Sequence, residues 1–244
     1  MTYCIAAKLD NGLLYLSDTR TNAGVDDIST VRKMHSFDVP GERTITIMSA
    51  GNLATTQAVI SWLKQRHVAP EERAPVILQA PTMFEVARVV GDTLRAEVRS
   101  RSQSGMSADA AFAGTLVVGG QIAGAKPRLF LVYPEGNFIE ATKDNPFFQI
   151  GEAKYGKPIL LRAFDTGMDW RDAVKLMLVS MDSTVRSNLS VAPPLDLRYV
   201  EAGTYEAAHE RRLDVDDPYL ARLGADWSEA LRAAFASLPG YDAP

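Results

Sequence analysis

Residues 1–18 read MTYCIAAKLDNGLLYLSD. Two apolar runs, Tyr3 to Lys8 and Leu13 to Ser17, flank Asp10-Asn11-Gly12. Asn-Gly between two such runs is the strongest short-range hairpin signal. A hairpin returns the end of its second strand beside the start of its first, so Asp18 is expected close to Thr2. Thr44 to Ser49 alternates in residue type and predicts a third strand. The stretch from Arg20 to Asp38 reads as too charged and irregular for a core element.

Helices follow. Asn52 is placed to cap a segment running to about Arg66, with Ala58, Val59, Trp62 and Leu63 on one face. Thr82 and Glu85 have capping-box spacing. Behind them Met83, Ala87, Val90, Leu94 and Val98 recur at three- and four-residue intervals, the buried stripe of an amphipathic helix. Ser100 to Gly105 reads as a polar break. Strands return at Thr115 to Gln121, Arg128 to Tyr133 and Asn137 to Thr142, with Pro134-Glu135-Gly136 as a hairpin tip and Phe147 to Ile150 as a fourth strand. Lys154 to Phe164 and Asp169 to about Arg186 predict two helices, the second capped by Asp169 and burying Ala173, Met177 and Met181. Leu197 to Ala202 reads as a strand. Asp226 with Glu229 reads as the start of a final helix, with Trp227, Ala230, Leu231, Ala234 and Phe235 on its apolar face. Helices thus arrive in pairs between groups of antiparallel-looking strands. Two sheets stacked face to face with helices outside satisfy that order, and a single domain, residues 1–244, is expected because no Gly-, Ser- or Pro-rich linker divides the chain.

The 244 residues are 46% apolar and 23% charged, with a net charge of −4. Those values exclude disorder and a disulfide scaffold. No apolar run reaches the ~18 residues of a membrane helix, the N-terminus lacks the pattern of a signal peptide, and an acidic balance argues against nucleic-acid binding. One cysteine, Cys4, fits a reducing cytoplasm and reads as a buried small residue. His35, His67 and His209 have no partner at metal-ligand spacing. Gly114 and Gly119-Gly120 lack the Lys-Ser/Thr of a phosphate-binding loop, no Gly-x-Ser-x-Gly elbow is present, and Asp214, Asp216 and Asp217 read as a solvated acidic turn. Neither metal nor organic cofactor is indicated.

Chemistry concentrates at the N-terminus. Initiator methionine is commonly removed when the second residue is small, which would expose Thr2 with a hydroxyl and a free α-amine on one residue. A terminal amine is one recognised base for activating such a hydroxyl. Asp18 is expected nearby, Lys33 follows 15 positions later, and Ser49-Ala50-Gly51 joins a strand to a helix, where backbone N–H groups can stabilise an oxyanion.

Together, Thr2, Asp18, Lys33 and the Ser49-Ala50-Gly51-x-x-Ala junction resemble proteasome β-subunits and the related HslV peptidase. Leu16-Ser17-Asp18-Thr19-Arg20, Gln149-Ile150-Gly151-Glu152, Lys154-Tyr155-Gly156-Lys157 and Ser187-Asn188-Leu189-Ser190-Val191 are most similar to the bacterial Anbu (ancestral β-subunit) branch, over residues 2 to 200 or so. The resemblance implies the α+β, four-layer αββα sandwich of N-terminal nucleophile hydrolases. It assigns Thr2 as nucleophile and, through its amine, general base. Lys33 lowers the pKa of the Thr2 groups, Asp18 holds Lys33, the Gly51 N–H forms the oxyanion hole, and Ser190 sits near the Thr2 amine. Arg20 and Thr21 fall where the family binds substrate backbone, and Ser49 near its first specificity pocket. It further implies a peptide or unfolded polypeptide substrate and self-association into a ring or helical stack. No sequence feature requires an ATPase partner.

The chain departs from the proteasome pattern in three places. Lys33 is one residue closer to Asp18 than in the standard pattern. That shortening must be absorbed in the intervening loop, because a one-residue shift within a strand flips a side chain to the other face. Gly151-Glu152-Ala153 replaces Gly-Ser-Gly. Ser187-x-x-Ser190 replaces Asp-x-x-Ser, so Ser187 supplies no carboxylate and Glu152 is the candidate to compensate. A small non-peptide amide as substrate, acyl transfer, and a catalytically silent assembly subunit remain as alternatives.

Overall fold

The computed structural model describes residues 1–22, 28–68, 76–101 and 111–241. The first hairpin forms as its sequence dictates: β1 (Tyr3–Leu9) and β2 (Gly12–Asp18) pair antiparallel, with Cys4 opposite Ser17 and Leu9 opposite Gly12. They form the middle of a five-stranded antiparallel sheet completed by β10 (Phe147–Gly151), β11 (Leu195–Glu201) and β12 (His209–Leu213), in the order β10-β1-β2-β11-β12. A second five-stranded sheet runs β5-β6-β7-β8-β9: Met34–Val39, Arg43–Gly51, Gly114–Ile122, Arg128–Val132 and Phe138–Glu140. A short ribbon of β3 (Arg20–Asn22) and β4 (Ile28–Thr30) stands apart from both.

Strand alternation sends residues to different layers. Cys4, Ala6 and Tyr15 face the second sheet and pack with Met48, Ala50, Val117 and Leu129. Tyr3, Ile5, Leu14 and Leu16 face the other way, under helices α3 (Ala153–Ala163) and α4 (Trp170–Ser187). On the far side Ile45, Ile47, Leu116 and Val118 pack against α1 (Leu53–Val68) and α2 (Met83–Arg101). Four layers result, α-β-β-α. Burial on both faces explains why β1 and β2 read as near-continuous apolar runs. No helix of the described residues is long and apolar enough to cross a membrane.

Several expectations are corrected. The polar stretch Arg20–Asp38 holds the β3–β4 ribbon and edge strand β5, in which Met34 and Phe37 alone are buried. An edge strand tolerates the polar residues that hid it. β12, whose residues are His-Glu-Arg-Arg-Leu, is an unforeseen edge of the same kind. The final helix, α5 (Pro218–Ala236), starts eight residues before Asp226, capped by Asp217, whose carboxylate accepts from Tyr219 N and Leu220 N, with Pro218 in the first turn. Asp217 is therefore buried and bound to Arg211, unlike a solvated turn. Along α5, Leu231 and Phe235 are exposed. Trp62 also points outward, donating to Glu97 on α2 at 2.6 Å. Ser100 belongs to α2, while residues 102–105 of the expected break lie outside the described residues.

Two predictions follow from this packing. Ile45 is fully buried in the layer between α1–α2 and the second sheet, so Ile45→Ala should lower unfolding free energy by about 2–5 kcal/mol, read by urea denaturation. On β5, burial pushes the His35 pKa down to about 4, helped by Lys64 and Arg32. The unfolded chain takes up that proton near pH ~6.5 and the folded chain only near pH 4. Stability should therefore fall as pH drops through that window. His35→Gln should recover about 2–3 kcal/mol of the loss measured between pH 7.5 and 4.5.

Candidate active site

Asp18 ends β2 with its side chain fully buried. Its Oδ1 accepts from Tyr3 N at 2.9 Å and from Lys33 Nζ at 2.8 Å. Burial pushes the Asp18 carboxyl above the usual carboxylate range, and the adjacent Lys33 ammonium pulls it back toward the charged form. Lys33, itself only 4% exposed, also donates to Arg20 O at 2.6 Å and to Met1 O at 3.3 Å. An ammonium has three donors, and these three acceptors use them all. The Lys33 backbone is pinned as well, its carbonyl accepting from Ser49 N at 3.0 Å. Lys33 lies in the loop just ahead of β5.

Thr2 is held from the opposite side. Its carbonyl accepts from Glu152 N at 2.7 Å, at the junction of β10 and α3. Gly151 makes this approach possible: its φ is +83°, and a Cβ there would stand 1.9 Å from the Thr2 carbonyl oxygen. No other residue type fits. Gly51, at the end of β6, also has positive φ, +106°, where the strand turns into α1. Asn52 caps that helix, accepting from Thr55 N at 3.0 Å.

Thr2, Thr21, Lys33, Ser49, Gly51 and Glu152 line one cleft of about 440 Å³. Six of the ten residues singled out from the sequence therefore converge. The others lie elsewhere. Asp18 sits behind Lys33. The Arg20 guanidinium turns away to Leu189 O at 3.0 Å, and the residue reaches Lys33 through its main-chain carbonyl. Ser187 is exposed and bonds back to Ser183 O in its own helix. Ser190 is half-buried in the loop after α4, its N–H donating to Asn188 Oδ1 at 2.9 Å. Cys4 is completely buried between the sheets, its thiol 3.8 Å from Ser49 O, and burial pushes that thiol far above its ordinary range. The Glu152 carboxylate lies 3.4 Å from Lys154 Nζ. Among the described residues no group of three His, Cys, Asp or Glu side chains is placed to hold a metal.

A threonine hydroxyl, a charged lysine fixed by a buried carboxylate, and a strand-to-helix junction around an open cleft can support nucleophilic attack on a carbonyl. The proteasome-subunit family model matches residues 2–192. Anbu from Yersinia bercovieri is 45% identical, each chain covered over 99% of its length, with a TM-score of 0.92. The Gly-1 mutant of Anbu from Hyphomicrobium sp. strain MC1 is 47% identical over 100% of both chains, TM-score 0.91. The Anbu complex of Pseudomonas aeruginosa, solved as a helical assembly, is 39% identical over 99% of this chain and 98% of that one, TM-score 0.89. No curated protein matches by sequence. The chain belongs to the proteasome-subunit family, and within it to Anbu, with the fold of an N-terminal nucleophile hydrolase.

Proposed function

We propose that this chain is a threonine-type hydrolase that cleaves peptide or unfolded-polypeptide amides with Thr2 after loss of Met1. The observation that carries this reading is the place of the Lys33 ammonium, 3.3 Å from the carbonyl of Met1. That carbonyl belongs to the peptide bond whose nitrogen becomes the Thr2 α-amine. While Met1 is attached this nitrogen is an amide and has no basicity. Cleavage converts it to an amine beside a fixed positive charge, which favours the neutral form and lowers its pKa from the free value near ~8.

The neutral amine takes the Thr2 hydroxyl proton as Oγ bonds to the substrate carbonyl carbon. The oxyanion forms against the Gly51 N–H. Collapse breaks the C–N bond, the proton passes to the leaving amine, and the acyl fragment stays as an ester on Oγ. Water, deprotonated by the same amine, attacks the ester and restores Thr2. Thr21, which lines the same cleft, would pair with the extended substrate backbone. Lys33, Asp18 and Tyr3 N–H form a preorganised support that does not move during the reaction.

We read the active form as a homo-oligomer and the chain as one peptidase domain. Support for self-association comes from the helical assembly of the Pseudomonas relative and from α5 and the residues after it. There Leu231, Phe235, Leu238 and Tyr241 are 49%, 77%, 64% and 90% exposed. Large apolar side chains left to solvent in one short segment favour burial against a partner.

The purified chain should have an intact mass beginning at Thr2. It should be labelled by a peptide epoxyketone, a reagent that needs both the hydroxyl and the α-amine. Thr2→Ala should abolish labelling and Thr2→Ser should keep it. Retained Met1, or labelling that survives Thr2→Ala, would sink the reading. Lys33→Met should slow labelling by about 10²-fold or more, and should cost about 3–5 kcal/mol of stability because the buried Asp18 loses its partner. Light scattering should give a particle several times 26.6 kDa, and Phe235→Asp should reduce it.

A further inference from the structure

The Tyr3 side chain leaves the cleft altogether. It is fully buried beneath α3 and α4. Its hydroxyl lies 2.7 Å from Ser180 Oγ on α4, and Gln149 Nε2 on β10 donates to it. Ser180 Oγ donates in turn to Gly156 O on α3 at 3.0 Å. A serine hydroxyl has one proton, so the direction of the chain is fixed: Tyr3 O–H to Ser180 Oγ, then Ser180 O–H to the Gly156 carbonyl. Gly156 has no space for a side chain, since a Cβ there would stand 2.3 Å from both hydroxyl oxygens. Burial pushes the Tyr3 phenol up to about 12, so it keeps its proton. The main-chain N–H of the same residue donates to Asp18.

A terminal residue frays unless it is tied down, and the reading of Thr2 as nucleophile makes Thr2 the terminal residue. A purely apolar role beneath the helices would be met by phenylalanine, so the hydroxyl needs another explanation. We infer that Tyr3 is a positioning residue: its phenol, fixed by Ser180 and Gly156, holds the start of β1 in place. The aim of Thr2 Oγ is thereby coupled to the packing of α3 against α4. This rests on the reading of Thr2 as nucleophile. Small displacements of a reacting group are costly, on the order of 10²-fold for about 1 Å.

The test uses the full-length, processed protein as wild type, Tyr3→Phe, Ser180→Ala, the double variant, and Ile45→Ala as a stability control far from the cleft. Epoxyketone labelling gives the maximal rate of inactivation and the reagent's binding constant separately, and amide hydrogen exchange reports residues 3–9. Tyr3→Phe should reduce the maximal rate about 10-fold, leave reagent binding within about twofold, and speed exchange at the Tyr3 amide. Ser180→Ala should do the same, and the double variant should be no worse than either single. Ile45→Ala, at least as destabilised, should keep the wild-type maximal rate. An unchanged rate in Tyr3→Phe, or an equal loss in Ile45→Ala, overturns the inference. If the processed wild type is not labelled at all, the nucleophile reading fails, and exchange decides alone: faster at Tyr3 in Tyr3→Phe upholds the anchor, unchanged overturns it.

Discussion

The buried pair of Asp18 and Lys33 governs the arrangement of the rest. Removing two charges from water costs several kcal/mol per ion, repaid only when geometry is close and the remaining donors and acceptors are filled. Every donor of the ammonium is used, while Asp18 Oδ2 has no hydrogen-bond partner among the described residues. The acceptors come from separate parts of the chain: the end of β2, the start of β3 and the residue before Thr2. The pair thus fixes where the chain's first residues, the first hairpin and the loop before β5 meet. The stacked sheets exclude water from behind Asp18, which raises the cost of its charge and makes the contact with Lys33 the interaction that offsets it.

Around that pair the two sheets divide the work. The first sheet supplies Thr2 and Asp18 from the two ends of one hairpin, and the second supplies Ser49 and Gly51 from the end of β6. Ser49 N bonds to Lys33 O, and Lys33 Nζ reaches across to Asp18 Oδ1, which ties the two halves of the site together. α1 and α3 both begin at the cleft, at Leu53 and Ala153, and both follow a glycine with positive φ. Such junctions let a strand end expose its last residues while the helix turns away to cover the sheet.

Much of this was legible in the sequence because it depends on local signals. Asn11-Gly12 sets the hairpin, and the hairpin alone brings Asp18 to Thr2. The α2 stripe and the Asp169 cap are equally local, and both appear as expected. Edge strands β5 and β12 were hidden because half-exposed strands carry no apolar run. The early start of α5 was hidden because Asp217 gains its capping role from a turn that looked solvated. The Tyr3 network was beyond reach for a different reason: its partners are 146 and 177 positions away, and nothing in a Tyr, a Gln and a Ser announces that they will meet. The same holds for Arg20, whose guanidinium lies on Leu189 O, 169 positions along the chain.

The collision that any Cβ at Gly151 would make with the Thr2 carbonyl has an evolutionary side. Much of the cleft is specified by main chain: the Thr2 carbonyl, the Glu152 N–H, and the turns at Gly51 and Gly151. The side chains of Thr21, Leu53 and Thr56 complete its lining. Drift can change those side chains one at a time without touching the main-chain framework. A lineage built on this plan can change what the cleft admits by point substitution while Thr2, Lys33 and the two glycine turns stay where they are.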